Sequence, residues 1–132
     1  MDQLKKNNMF LMHLLSVPFI WVVLIPLLIL DFFVELYHQI CFRLYKLKLV
    51  SRKNYIKIDR QKLKYLTFSQ KIGCMYCGYA NGAFNYFSEI AAQTETYWCG
   101  IMHNNTDDFV APKHHKNFAK YNDEDDFIKK YK

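Results

Sequence analysis

The chain has 132 residues, of which 52% are hydrophobic and 17% aromatic, and its formal net charge is +6 at pH 7. This length predicts a single domain. The apolar residues concentrate in the first 50 positions, which excludes a large soluble core. A soluble domain of roughly 60–80 residues has little stability to spare, and a metal or another staple often supports it.

The first predicted element is a transmembrane helix over residues 7–30, a stretch without a charged side chain. As a helix, Met9–Leu30 reaches about 33 Å, which is enough to cross a hydrocarbon core of about 30 Å. Pro18 and Pro26 each remove a backbone donor and can kink the helix, so a re-entrant segment is one alternative. A cleaved signal peptide is less consistent with the long apolar run, which ends without a small-residue cleavage pattern.

Charges on either side of this span predict its orientation. Lys5 and Lys6 precede it, whereas ten Lys or Arg residues and one acidic residue, Asp59, lie between Arg43 and Lys71. The excess of basic residues after the span predicts that the N-terminus is outside and the rest of the chain is cytoplasmic.

Residues 31–58 read as a basic amphipathic neck followed by a linker. Aromatic and aliphatic residues recur at helical spacing over 31–49, with polar and basic residues on the opposite face. One interpretation is a helix in the headgroup plane that contacts anionic lipids. The alternative is a helix that packs on the soluble module or continues the transmembrane helix. Nucleic acid is not favoured as a partner, because no nucleic-acid-binding motif accompanies the basic residues.

Residues 59–106 are predicted to form a small helical module. Asp59 is the expected N-cap of a helix over Arg60–Ile72, which Gly73 would end. A second helix is predicted over Ala83–Tyr97, where apolar residues again recur at helical spacing.

Four potential metal ligands occupy this module in the pattern C-x2-C-x21-C-x3-H. Each pair can direct two ligands toward one point, and three thiolates with one imidazole suit tetrahedral zinc. An iron–sulfur cluster is a rarer occupant of such a set. The predicted ligands are Cys74, Cys77, Cys99 and His103.

Two other interpretations of the cysteines stay open. Cys74 and Cys77 could form a redox pair, although the βαβ setting of thioredoxin-like proteins is absent from the pattern. The cysteines could also be small buried hydrophobic residues. His114 and His115 are alternative metal ligands, weakened by their position in the tail. Glu95 is either a solvated helix residue or a group that hydrogen-bonds a metal ligand.

Residues 107–132 are polar, with alternating blocks of charge, and are predicted to be a flexible, disordered tail. Within it, Asp123–Ile128 could form a brief helix or fold back onto the basic neck.

Three blocks of the sequence resemble a group of small, uncharacterised bacterial membrane proteins. The blocks are Ile58-Asp59-Arg60, the stretch from Cys74 to Gly82, and the stretch from Glu89 to His103. The chain departs from the shared pattern at Ser88, Gln93 and Gly100. The resemblance implies that residues 55–104 form one unit at a bacterial inner membrane, and it implies no activity.

The predicted fold is therefore all-α, with one transmembrane helix, a neck, a cysteine-containing helical module and a tail. The predicted function is a membrane-anchored cytoplasmic module with a structural zinc site. It would bind lipid or a membrane protein partner and catalyse nothing, since no nucleophile–base pair stands out. The alternative is a membrane-bound thiol–disulfide oxidoreductase that uses Cys74 and Cys77.

Overall fold

The computed structural model describes residues 10–132, with side chains from Leu11 onward. Four α-helices carry most of this part of the chain, which contains no strand and one isolated bridge between Ile101 and Ala119. The all-α prediction is confirmed at this level. The helices are α1 (Phe10–Val22), α2 (Leu24–Leu44), α3 (Phe68–Trp98) and α4 (Glu124–Tyr131).

Helices α1 and α2 follow each other with a single-residue interruption at Val23. Pro26 explains this break, because its missing N–H leaves the carbonyl of Val22 without its helical partner. Pro18, by contrast, lies inside α1 without interrupting it. Lys5, Lys6 and the first residues of the predicted span lie outside the described residues.

One helical stretch of the described chain, Leu11–Leu44, is long and apolar enough to cross a membrane. Only 11% of its most apolar window is buried inside the protein, which is unlike the core helix of a soluble protein. The predicted neck helix is the second part of this stretch and continues the span directly, since α2 runs without a break from Leu24 to Leu44. That continuation was the alternative to a separate helix in the headgroup plane.

Helix α3 corrects the prediction of two helices separated at Gly73. Asp59 makes no capping hydrogen bond and precedes only a short 3₁₀ helix, Arg60–Lys62. The helix begins instead after Thr67, whose hydroxyl accepts from the Gln70 N–H at 3.4 Å while the Gln70 side chain accepts from the Thr67 N–H at 2.9 Å. This reciprocal capping box is a strong helix start, and α3 then runs through Gly73.

Two further glycines inside α3 lie where another part of the chain crosses the helix. A Cβ at Gly82 would lie 2.6 Å from the carbonyl oxygen of Tyr55 and 2.8 Å from Cα of Ile56. A Cβ at Gly78 would lie 3.0 Å from the carbonyl oxygen of Lys57. The predicted linker is therefore a segment packed on α3, and glycine is needed at Gly82 for the close approach.

The segment after residue 107 differs from the predicted flexible tail. It holds a 3₁₀ helix, Lys113–Asn117, and α4, which Asp123 caps by accepting from the Asp126 N–H at 3.0 Å. Buried Phe118 and Ala119 follow the 3₁₀ helix. The Tyr131 hydroxyl donates to the Gly100 carbonyl at 2.7 Å. Apolar burial and capping thus order a segment whose composition is mainly polar.

The chain divides into an N-terminal unit, which ends at Asn85, and a C-terminal unit, Tyr86–Lys132. The boundary falls within α3. The buried apolar residues of the N-terminal unit are Leu27, Phe42, Val50, Ala80 and Ala83, and those of the C-terminal unit are Tyr86, Phe87, Ile90, Phe118 and Ala119.

Candidate functional sites

The N-terminal unit contains an ion pair inside the apolar stretch Leu11–Leu44. Asp31 is the first charged residue of that stretch, and its carboxylate accepts two hydrogen bonds from the Arg52 guanidinium at 2.7 Å and 2.6 Å. The Tyr79 hydroxyl donates to the same carboxylate. The Asp31 side chain is only 12% exposed, so these three donors replace the water that a buried carboxylate loses.

The contacts with Asp31 raise the pKa values of its two partners, Tyr79 and Arg52. Partial burial, together with the hydrogen bond to Asp31, raises the pKa of Tyr79 to about 12. The hydrogen bonds to Asp31 raise the pKa of Arg52 further above its ordinary value. Both donors therefore keep their protons at any physiological pH.

Histidine 38 fixes the turn after α2 against that helix. Its ring is fully buried, and its Nε2 accepts a hydrogen bond from the Val50 N–H at 3.0 Å. Its Nδ1 lies 3.3 Å from a carboxylate oxygen of Glu35. Because Nε2 must accept, the ring proton lies on Nδ1 and points to Glu35. The His38 ring therefore has a defined tautomer and a structural role.

A shallow cleft of about 390 Å³ lies beside the ion pair. Its walls combine three apolar side chains with the three charged ones of the Asp31–Glu35–Arg52 group. The lining residues are Leu28, Asp31, Phe32, Glu35, Leu36 and Arg52.

The predicted cysteine ligands occupy both units. Cys74 and Cys77 lie three residues apart inside α3, the first half-buried and the second exposed. Cys99 directly follows α3 and is exposed, and all of these thiols are free. The His103 ring packs edge-on against Phe109, with ring centroids 5.2 Å apart. The Cys₃His zinc site stays a prediction.

Among the described residues, a different group of potential metal ligands does come together, and it lies in the C-terminal unit. Glu95 is in the last turn of α3, and His114 and His115 are in the 3₁₀ helix that follows Pro112. One ligand atom from each lies within 4.8 Å of the other two. The His114 Nε2 is 3.0 Å from Oε1 of Glu95, and the His115 Nε2 contacts the same oxygen.

The carboxylate of Glu95 is stabilised in its charged form by this arrangement. Desolvation acts to raise the pKa of Glu95, but hydrogen bonds from His114 and His115 together outweigh it, so the pKa lies below its ordinary value. A charged carboxylate between two imidazoles is a ready set of donor atoms for a cation.

Aromatic rings form the wall behind the two histidines. The His115 ring stacks on Phe118 at a centroid distance of 4.7 Å, and His114 meets the same phenyl ring edge-on at 5.6 Å. The side chain of His115 is only 4% exposed. Its Nδ1 is buried and, among the described residues, has no hydrogen-bond partner.

From the sequence, His114 and His115 are weaker candidate ligands than His103, because they lie in the predicted flexible tail. The signals were present: two adjacent histidines after a proline, and a glutamate near the end of a predicted helix. What the sequence did not reveal was the order of the segment, which turns both rings to one carboxylate.

No family model, no curated protein and no solved structure shows significant similarity to the chain. The resemblance to small bacterial membrane proteins therefore stays an expectation from the sequence blocks.

Proposed function

We propose that the protein is a membrane-anchored accessory module that spans the bacterial inner membrane once and catalyses no reaction. Its basic neck, residues 31–58, contacts anionic headgroups on the cytoplasmic face, and the module presents a docking surface to a membrane protein partner. The two-sided character of α2 is the observation that carries the proposal.

One side of α2 exposes large apolar side chains in a continuous row. Phe32, Phe33 and Leu36 are 64%, 59% and 47% exposed, and Leu44 is 73% exposed. An apolar surface of this extent is unfavourable in water, since each square ångström costs about 25 cal/mol. Lipid chains remove that cost, which favours a helix whose outer side faces a bilayer.

The other side of α2 faces the protein and carries its buried residues, Leu27, Asp31, His38 and Phe42. Their spacing of four, seven and four residues places them on one helical face. Ionisable residues in membrane helices characteristically point inward and pair with one another. The pairing of Asp31 with Arg52 follows that rule, because it removes an isolated charge from the apolar layer.

Contacts with the span favour an anchor that is retained in the mature protein. The Tyr76 hydroxyl donates to the carbonyl of Ile20 at 2.7 Å, and the Tyr76 ring lies 4.7 Å from that of Trp21. Cleavage after the apolar run would remove both contacts. A signal peptide has no reason to pack specifically on the domain that it delivers.

The basic residues of the neck support the proposed contact with anionic headgroups. Arg52 is engaged by Asp31, but Lys57 is 82% exposed and has only a long contact, 3.7 Å, with Asp59. Each Lys or Arg near an anionic leaflet adds about 1 kcal/mol at most. Several such residues after the span also favour a cytoplasmic location.

Limited trypsin cleavage in nanodiscs tests the contact with headgroups. We expect cleavage at the basic residues between Arg43 and Lys57 to be slower in discs with anionic lipid than in purely zwitterionic discs, and salt to remove the difference. Cleavage at Lys129 and Lys130 in α4 is the internal control. Equal rates in both lipids would contradict the lipid-binding part of the proposal, and release of the protein by an alkaline wash would contradict the anchor itself.

A further inference from the structure

We propose that Glu95, His114 and His115 form a binding site for a divalent transition-metal ion, with zinc as the best-matched ion. This site is different from the predicted Cys₃His set, and it is independent of whether α1 and α2 span a membrane.

The three ligand atoms are close enough to share one ion after small side-chain movements. They lie within 4.8 Å of one another, and the His114 Nε2 is 3.0 Å from Glu95 Oε1. Metal–ligand bonds of about 2.0–2.2 Å in a tetrahedral zinc site imply ligand–ligand separations of about 3.4 Å. The His114–Glu95 separation is therefore near the required value, whereas the closer His115 nitrogen must move back. Both rings must also carry their proton on Nδ1 in the metal-bound form, because an Nε2 that donates to Glu95 has no lone pair for an ion.

The donor atoms match zinc better than a hard cation. Two imidazole nitrogens and one carboxylate oxygen are ligands that zinc accepts, whereas calcium and magnesium prefer a full set of oxygens. Three protein ligands leave one coordination position for water or for a donor from another molecule. A cleft of about 400 Å³ borders His115 and His103.

The burial of His115 shields one side of the proposed site from water. The His115 side chain is 4% exposed, and its Nδ1 has no hydrogen-bond partner among the described residues. An ion bound at Nε2 would not supply that partner, so the buried Nδ1 is a cost that the site retains. The Phe118 ring, stacked on His115, also keeps the site in an apolar setting that strengthens binding.

A metal at this position would join the end of α3 to the segment that follows Pro112. The two histidines lie 19 and 20 residues after Glu95, so the unfolded chain does not hold the three ligands together. Binding free energy is then also folding free energy. The C-terminal unit is small, and a metal staple of this kind would stabilise it without any disulfide.

Zinc titration of the full-length protein in detergent tests the site. We expect one zinc ion per chain in the wild type, measured by competition with a chromophoric chelator. Glu95→Gln and His114→Asn should each weaken binding at least about 100-fold, because even the loss of a group that only hydrogen-bonds a ligand costs 10–100-fold. Glu89→Gln is the matched control on the same helix, since Glu89 hydrogen-bonds Gln93 and is not among the ligands.

Cobalt substitution separates this site from the cysteine set without relying on any variant. Cobalt(II) bound by Glu95, His114 and His115 should give visible absorption bands and lack the intense thiolate-to-metal band in the near ultraviolet. Retention of zinc by Cys74→Ser and Cys99→Ser supports the same assignment. A strong thiolate band from the first cobalt equivalent, loss of zinc in the cysteine variants, or no zinc binding by the wild type would overturn the proposal.

Discussion

The guanidinium of Arg52 holds the carboxylate of Asp31 through two hydrogen bonds, 21 residues apart in sequence. These hydrogen bonds connect the loop after α2 to Asp31, the first charged residue of the apolar stretch. They also explain how an acidic residue can lie on the inner side of a helix whose outer side is apolar.

Removing one partner of this pair should destabilise the N-terminal unit. Asp31→Asn and Arg52→Gln each leave a partly buried group without its charged partner, and we expect a loss of about 2 kcal/mol in the free energy of unfolding. Lys57→Gln is the control, because the Lys57–Asp59 pair is exposed and should contribute less than about 0.5 kcal/mol. Thermal unfolding in detergent measures all three, and a double-mutant cycle without coupling between Asp31 and Arg52 would argue against the pair.

The crossing of residues 55–57 over α3 predicts opposite effects for two glycine substitutions in the same helix. A Cβ at Gly82 meets the backbone of Tyr55 and Ile56, so Gly82→Ala should cost about 1–3 kcal/mol. A Cβ at Gly73 meets nothing within 4 Å, so Gly73→Ala should stabilise the helix by about 0.5–1 kcal/mol. Equal effects at both positions in thermal unfolding would show that the segment does not cross α3 at Gly82.

The raised pKa of Tyr79 predicts that the folded protein loses stability at high pH. Its pKa is raised to about 12 in the folded protein from the ordinary value of 10.0. The protonated hydroxyl therefore contributes stability that is fully present below about pH 10 and is lost as the pH rises through about 12.

An absorbance titration of tyrosinate in the wild type should contain a late-titrating residue near pH 12, and Tyr79→Phe should lack it. The same variant should also lose less stability than the wild type between pH 10 and pH 12. Persistence of the late step in Tyr79→Phe would show that the hydroxyl does not interact with Asp31.

Thiol labelling distinguishes the two candidate metal sites. Cys77 and Cys99 are exposed and should react with a maleimide faster than Cys41 and Cys74, which are half-buried. If zinc binds at Glu95, His114 and His115, saturating zinc should leave these labelling rates unchanged. Protection of Cys74, Cys77 and Cys99 together by one zinc equivalent would instead establish the Cys₃His site.

Much of the helical content follows from local pattern, and the error at the start of α3 comes from giving Gly73 more weight than the local capping box. Gly73 reads as a helix stop, yet the Thr67–Gln70 capping box starts the helix later and carries it onward. A glycine in a helix interior costs only about 1 kcal/mol relative to alanine, which is too little to end α3 at Gly73. At Gly78 and Gly82 the missing side chains make room for a segment whose position depends on contacts distant in sequence.

For the candidate metal group, the residue types can be recognised in the sequence, but their convergence cannot. His114, His115 and Glu95 are each recognisable in the sequence as potential ligands or partners of a ligand. Their convergence depends on the order of residues 107–132, where the composition favours a flexible tail. Gly100 also illustrates this, because a side chain there would collide with Tyr131, whose hydroxyl binds the Gly100 carbonyl. Composition alone does not reveal such a contact.

Quenching of the two tryptophans by brominated lipids tests the central claim of a membrane anchor most directly. Trp98→Phe leaves Trp21 in the apolar stretch, and Trp21→Phe leaves Trp98, which is 66% exposed, at the end of α3. In reconstituted vesicles we expect strong quenching of Trp21 and little quenching of Trp98. Equally weak quenching of both tryptophans would contradict a membrane-embedded α1 and, with it, the proposed function.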